Sequence, residues 1–251
     1  MSIRLATVGG MTGTSGHVAD PPRQLVVEWA LCGIAAAATR FIPVPLVDEV
    51  VKDRAVRYAV HRTLRSHGRT YGDDAVEELY EGVDTRRAAL ARSLRSVPRR
   101  ILLFPVRKYV AIFGSVRGVP NDVMRVVLLG RTVHRAIELG RLDGDGEPLH
   151  EDAAAVRRAY DDAIENQDLR LLRGALADGL SQGRSLTRAA VAFARTQFAK
   201  DDDASPGLRP GGEVERSAQA VESALRRPDV VEELERFDAR IDAALAPRPS
   251  P

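Results

Sequence analysis

Residues 25–41, LVVEWALCGIAAAATRF, form the most apolar segment of the chain and indicate its fold class. Leu25, Trp29 and Ala36 recur at helical spacing, so the segment predicts a helix that begins after the two prolines before it. Strand patterns are nearly absent elsewhere, because aromatic residues make up 5% of the 251 residues and apolar positions recur at helical spacing. We therefore predict an all-α protein, a multi-helix bundle of about eight to ten helices, and leave open whether it divides into two subdomains.

The apolar segment runs into a proline-containing turn, residues 42–48 (IPVPLVD), and then into a basic helix that ends near His67. An apolar segment beside a cationic one is typical of a membrane surface, so we expect residues 25–51 to face lipid. The segment is not expected to span the bilayer. Arg40 near its middle costs about 2.5–3.5 kcal/mol on the insertion scale, and the two prolines of the turn break the helix.

Capping residues mark the starts of later helices. Asp73 is expected to cap a short helix, and Asp229 with Glu232 is expected to form a capping box at the start of the last one. Between them, an apolar stripe predicts a helix with Arg131 and Arg135 on its opposite side. The predicted organisation is a flexible N-terminal tail (1–18), a basic, apolar-rich helical domain (19–142), a connection (143–150), an acidic helical region (151–200), a linker (201–212), a helical hairpin (213–246) and a tail (247–251).

Charge is distributed unevenly along the chain, although the formal net charge is only +2. Residues 52–141 carry 19 basic and 9 acidic groups, a net +10, whereas residues 142–251 carry 15 basic and 22 acidic groups, a net −7. No acidic residue occurs between Thr85 and Asn121. This basic block requires either an anionic partner or a solvated surface.

Two basic stretches are candidates for contact with an anionic surface. In residues 99–117 the charges are embedded among apolar side chains that surround most of the helical circumference, a pattern typical of helices at membrane interfaces. On the earlier basic helix, four side chains, His61 among them, share one face that could follow phosphate groups, with a solvated cationic face as the alternative. The candidate membrane- or anion-contact residues are Arg99, Arg100, Phe104, Arg107, Lys108, Arg117, Arg54, Arg57 and Arg65.

No constellation typical of catalysis or of metal binding emerges from the sequence. The N-terminal glycines lack the spacing of a phosphate-binding loop, and the five histidines show no metal-ligand spacing. Asp143, Asp145 and Glu147 alternate as in a calcium loop, but Pro148 stands where the loop requires glycine. Cys32, the single cysteine, is expected to be a small buried hydrophobe. We therefore expect a non-enzymatic protein with no catalytic residues, no cofactor and no bound metal.

An alanine-rich helix, the turn at 42–48, a long helix and the pair Tyr71-Gly72 follow one another in the order found in one known domain. Together with the later helix that contains Gly130, this pattern over about residues 25–140 resembles the hydrophobic helical domain of EcsC-type and YcjF-type bacterial proteins. The resemblance implies a helical, membrane-associated protein of unknown function. In those families the domain sometimes follows a GTPase, which this chain lacks, and the resemblance supplies no catalytic residues.

The leading hypothesis is a non-enzymatic bacterial protein whose residues 19–142 dock peripherally on an anionic membrane surface. The acidic half would then recruit a partner protein or mask the basic half. The first twenty residues lack the continuous apolar core of a secretion signal, so we expect a cytoplasmic location, at the inner face of the cell membrane. Two alternatives stay open: an intracellular helical interaction or regulatory protein without membrane contact, and a nucleic-acid-binding protein that uses the same basic block.

Overall fold

The computed structural model describes residues 19–42, 47–80, 118–144, 146–181, 185–198 and 207–246. Throughout these residues the fold is all-α, which confirms the predicted class. The described ranges contain nine α-helices, within the predicted number: α1 (Arg23–Ala38), α2 (Val47–Ser66), α3 (Asp73–Tyr80), α4 (Val119–Glu138), α5 (Gly146–Asn166), α6 (Arg170–Ser181), α7 (Leu186–Phe198), α8 (Gly212–Leu225) and α9 (Pro228–Leu245).

Helix α1 lies at the centre of the bundle, in contact with α2, α4, α7 and α8. Alanine favours the helical backbone, and α1 itself carries apolar side chains around most of its circumference. This composition is typical of a buried helix. All ten residues from 29 to 38 are buried. The expectation that residues 25–51 face lipid is therefore wrong for α1, because its apolar surface is covered by the other helices. No helix in the described ranges has the length and apolarity needed to cross a membrane.

The end of α1 is fixed by hydrogen bonds and by an ion pair. The chain continues as a short 3-10 helix (Thr39–Phe41), in which the Thr39 hydroxyl donates to the carbonyl of Ala36 over 2.7 Å. Arg40 lies beyond the end of α1, not within the apolar helix as the sequence indicated, and binds the carboxylate of Asp122 through two nitrogens. Asp122 is in the first turn of α4, so this pair joins the end of one helix to the start of another.

Two glycines allow α1 and α4 to approach closely. A Cβ atom on Gly130 would lie 2.5 Å from Cε2 of Trp29, and one on Gly33 would lie 2.9 Å from the Cα atom of Val123. Separations this short are sterically forbidden, so any larger residue at either position would force the helices apart. The indole of Trp29 therefore rests directly on the backbone of α4.

The second half of the chain packs onto the first. Helix α3 contacts α5, α6 contacts α8, and one hydrophobic core of described residues extends from Leu25 to Leu245. Helix α5 begins at Gly146, inside the predicted connection of residues 143–150. Its early start extends regular structure across most of that connection.

One predicted helix cap is replaced by another contact, and the residue predicted to cap a second helix binds a neighbouring helix. At α9 the N-cap residue is Arg227, no side chain caps the helix, and Asp229 accepts a hydrogen bond of 2.8 Å from Arg227, so the predicted capping box is wrong. The Asp73 carboxylate binds side chains of α2. Helix α6 is capped from a distance, because the buried carboxylate of Glu233 accepts the backbone N–H of Leu172 over 2.8 Å.

Candidate functional site

Of the nine candidate contact residues, six lie outside the residues that the structure describes: Arg99, Arg100, Phe104, Arg107, Lys108 and Arg117. The other three, Arg54, Arg57 and Arg65, lie on α2. Their neighbours decide whether the basic face of α2 is available to an external anion.

The basic face of α2 is engaged by other parts of the chain. Arg57 binds Asp73 of α3 over 2.6 Å and lies over the ring of Tyr80, 4.9 Å from its centroid. His61 approaches the other oxygen of Asp73 at 2.7 Å, and burial lowers the pKa of this imidazole despite the neighbouring carboxylate. The guanidinium of Arg54 donates to the carbonyl of Phe198 over 3.2 Å. These side chains therefore hold α3 and α7 against α2.

Arg65 is the exposed member of this face. Its Nε donates to the carbonyl of His61 in the same helix over 3.3 Å, and its guanidinium lies 6.0 Å from the ring centroid of Tyr58. Arg65 and Arg57 thus have different surroundings in the structure, although both lie on the same helix and the sequence grouped them together.

A cleft of about 310 Å³ lies between residues 20–21, helices α1 and α4, and the helices α8 and α9, which follow one another in the chain and are together called the hairpin below. Its apolar lining comes from all four helices and includes the indole of Trp29, whose residue is 1% exposed. Four charged residues also line it: Asp20, Arg131, Glu222 and Arg226. The cleft therefore combines an apolar floor with ionic groups, which is the usual composition of a small-molecule pocket.

On one side of the cleft, α4 and α9 are joined by a ladder of ion pairs. Arg131 donates two hydrogen bonds to the buried carboxylate of Asp238, from Nε to Oδ1 over 2.9 Å and from Nη2 to Oδ2 over 2.7 Å. One turn further along both helices, Arg135 binds Asp242 and also reaches Asp238 over 3.2 Å. Asp20 approaches Arg131 at 3.4 Å but is 90% exposed. This ladder fixes the hairpin against α4.

On the other side, Glu222 of α8 is held by two arginines. The buried carboxylate accepts hydrogen bonds of 2.9 and 3.0 Å from Arg23 at the start of α1, and a further one from Arg226. Arg23, the larger influence, and Arg226 hold the pKa of the Glu222 carboxyl below its usual range. Glu222 therefore stays ionised at neutral pH and ties the hairpin to α1.

A pair of histidines holds the segment that forms one wall of the cleft. Nε2 of His134 lies 3.0 Å from the carbonyl of Ala19, and Nδ1 of His134 lies 2.8 Å from Nε2 of His67. A carbonyl only accepts, so His134 carries its proton on Nε2 and accepts from His67 at Nδ1. Nδ1 of His67 lies 3.3 Å from the carboxylate of Glu138. Residue 19 is thus anchored through two imidazoles to α4 and to the turn that follows α2.

The residues of the cleft were not recognised in the sequence as a group. The sequence placed Arg131 and Arg135 opposite the apolar stripe of α4, and their spacing of four residues matches that of Asp238 and Asp242. This complementary spacing was a sequence feature from which contact between α4 and α9 could have been predicted. Glu222 carried no comparable feature, because its partner Arg23 lies 199 residues away in the chain.

The described side chains show no arrangement suited to a metal ion, since nowhere in the described ranges do three histidine, cysteine, aspartate or glutamate residues converge. Cys32 is buried in α1, and burial raises the pKa of its thiol well above the usual value. Comparison with protein-family models, with curated proteins and with solved structures found no match for this chain.

Proposed function

We propose that the chain is a non-enzymatic helical protein that associates peripherally with an anionic membrane surface through basic residues between α3 and α4. The observation that carries the proposal is a separation of charge. Residues 81–117 contain nine basic and two acidic residues, a net charge of +7, so the rest of a chain of net charge +2 carries −5. A strongly basic segment in an otherwise acidic protein favours an anionic partner.

The ion pairs of the described helices support this assignment. Arg62 binds Glu28 over 2.5 Å, Arg57 binds Asp73 over 2.6 Å, and Arg131 binds Asp238 over 2.7 Å. Arginines of α2 and α4 that could have contacted phosphate are thus occupied by carboxylates of the same chain. Asp238 and Asp242 of α9 are engaged in the same way, which supports masking of internal charge over recruitment of a partner by these two residues.

Lipid is favoured over nucleic acid because the basic residues alternate with large apolar ones. Residues 101–106 read ILLFPV between two pairs of basic residues. Each Arg or Lys near an anionic leaflet contributes about 1 kcal/mol, and partial burial of apolar side chains adds about 25 cal/mol per Å². The resemblance to EcsC-type and YcjF-type bacterial proteins supports the same surface and implies the inner face of the cell membrane.

Flotation of the full-length protein with vesicles tests the proposal. We expect binding to vesicles that contain phosphatidylglycerol and little binding to pure phosphatidylcholine. Replacement of Arg99, Arg100, Arg107 and Lys108 by Gln should weaken binding by about 4 kcal/mol, or about a thousandfold. The matched control replaces four exposed arginines of the described helices by Gln: Arg158, Arg188, Arg216 and Arg240. Its net charge falls by the same amount, so it should differ from the wild type only by the effect of net charge on vesicle binding.

Equal affinity for neutral and anionic vesicles would contradict the proposal. Retention on DNA-cellulose with a steep salt dependence, without vesicle binding, would favour the nucleic-acid alternative. Binding to neither vesicles nor DNA would favour a helical interaction protein without membrane contact.

A further inference from the structure

We propose that the cleft between α1, α4 and the hairpin of α8 and α9 binds a small amphiphile with an apolar body and an anionic head group, of which a medium-chain carboxylate is the simplest example. The site goes beyond the proposed membrane contact, because it is built from other residues and takes a single dissolved molecule. Its volume of about 310 Å³ is at the lower end of the range of ligand pockets, which favours a small ligand.

The floor of the cleft suits an apolar body. Trp29, Val26 and Val127 present side chains that are buried in the core of the bundle, so a ligand would contact a fixed surface. Val231 also lines the cleft, and it is one of three large hydrophobic residues in the described ranges that are exposed, at 37%. A ligand that covered Val231 would remove apolar surface from water.

The hydrogen-bonding capacity left in the cleft consists mainly of donors. A guanidinium has five N–H donors, and within the described ranges Arg226 uses only its Nε, toward Glu222. Among the described residues, Arg131 uses Nε and Nη2 toward Asp238 and Asp20, and no partner there takes the two N–H groups of Nη1. Both side chains line the cleft, and both remain charged.

The carboxylates beside these arginines are largely saturated as acceptors. Glu222 accepts three hydrogen bonds, two of them from Arg23. Asp238 accepts from both Arg131 and Arg135. Asp20 is mostly solvated, and its one contact with a described side chain, 3.4 Å from Arg131, is long enough for a ligand anion to replace it. An anionic head group would therefore find free donors on Arg131 and Arg226, whereas a cationic one would find acceptor capacity mainly on the solvated Asp20.

The cleft contains its own reporter, because Trp29 is the single tryptophan of the chain. The full-length protein is titrated with decanoate, decanol and decyltrimethylammonium below their micellar concentrations, and Trp29 fluorescence is recorded. We expect a saturable shift with decanoate and at least tenfold weaker binding of the cation. Arg226→Gln should weaken decanoate binding about tenfold to a hundredfold, the value of a charge-assisted hydrogen bond, without changing decanol binding. The matched control is Arg227→Gln at the next position, which does not line the cleft.

Val231→Asp should weaken the binding of both decanoate and decanol, because it places a solvated charge on the apolar mouth. Equal affinity for decanoate and decyltrimethylammonium, or equal losses in the Arg226 and Arg227 variants, would overturn the anionic head group. Absence of a saturable Trp29 response to all three compounds would overturn the site. The variant with Arg99, Arg100, Arg107 and Lys108 replaced by Gln should bind decanoate as the wild type does. Loss of decanoate binding in this variant would indicate that the ligand binds outside the cleft and would overturn the inference.

Discussion

Two adjacent residues of α4 make contacts of opposite kinds. Gly130 presents bare backbone to the indole of Trp29 in α1, whereas Arg131 binds the buried carboxylate of Asp238 in α9. The first contact depends on shape and the second on charge. Trp29 and Arg131 both line the cleft, so the candidate ligand site lies where the two kinds of contact meet.

This contrast indicates which changes each contact tolerates. An apolar contact between close backbones responds to the volume of the side chains and is nearly independent of salt and pH. A buried ion pair contributes little net stability because desolvation offsets attraction, yet loss of one partner leaves the other charged and buried. We therefore expect α1 to be sensitive to added atoms and the hairpin to be sensitive to removed charge.

The largest effect is expected from Asp238→Ala. This change leaves Arg131 without its main partner and deprives Arg135 of one of two, so it should lower the free energy of unfolding by about 3–5 kcal/mol. Urea unfolding followed by circular dichroism measures the loss. Asp242→Ala is the matched control on the same helix, because Asp242 is more exposed, and it should lower stability by about 1 kcal/mol or less.

A double replacement separates burial of charge from loss of attraction. Arg131→Met combined with Asp238→Leu should recover most of the stability lost in Asp238→Ala, because no uncompensated charge remains. If the double variant were as unstable as the single one, the ladder would contribute real attraction and the contrast between the two contacts would not hold.

A smaller effect is expected from Gly130→Ala. The added methyl group would overlap the indole of Trp29, so the free energy of unfolding should fall by about 1–3 kcal/mol. Gly174→Ala in α6 is the matched control, since no atom outside its own helix segment lies within 4 Å of the point that the new methyl group would occupy. There alanine should raise stability by about 0.5–1 kcal/mol.

The two glycine replacements should therefore have opposite signs in the same unfolding assay. Fluorescence of Trp29 should change in Gly130→Ala and stay unchanged in Gly174→Ala. Equal effects of the two replacements would mean that helix propensity, and not close packing, determines the result.

Helix α1 illustrates what the sequence could and could not predict. Its helical spacing and its start after two prolines were readable, and the structure confirms both. Its burial was misjudged, because a helix that is apolar on all sides has the same composition whether protein or lipid covers it. Gly33 and Gly130 distinguish burial in protein from exposure to lipid, because they let α1 and α4 approach closely. Each glycine faces a residue on the other helix, and the sequence of one helix alone does not identify that residue.

The charged residues show the same limit. Charge counts predicted a basic first half and an acidic second half, and the ladder between α4 and α9 is one place where the two meet. The partners of Arg23 and Arg40 lie 199 and 82 residues away in the chain, so local patterns could not identify them. Local patterns also predicted a capping box at Asp229. In the structure the Asp229 carboxylate instead accepts a hydrogen bond from Arg227.

The smallest effect is expected from pH, and it tests the anchor at Ala19. Burial, the nearby His134 and Arg69 lower the pKa of His67 despite Glu138, and burial likewise lowers the pKa of His61. The folded state then binds fewer protons than the unfolded state as pH falls below the ordinary histidine value of 6.5. The stability that these two neutral imidazoles contribute should be fully present above pH 6.5. It should be lost as pH falls below 6.5 toward the lowered pKa values of His67 and His61.

The replacement His67→Gln should flatten part of this decline when urea midpoints are measured between about pH 8 and 5.5, where most carboxylates stay ionised. His150→Gln, at an exposed position on α5, should leave the pH profile unchanged. Protonation of His67 at Nδ1 leaves its bond to His134 in place, so the decline reports the burial of the His67 imidazole. A wild-type profile that rises toward acid pH would therefore contradict the buried histidine pair as the origin of the effect.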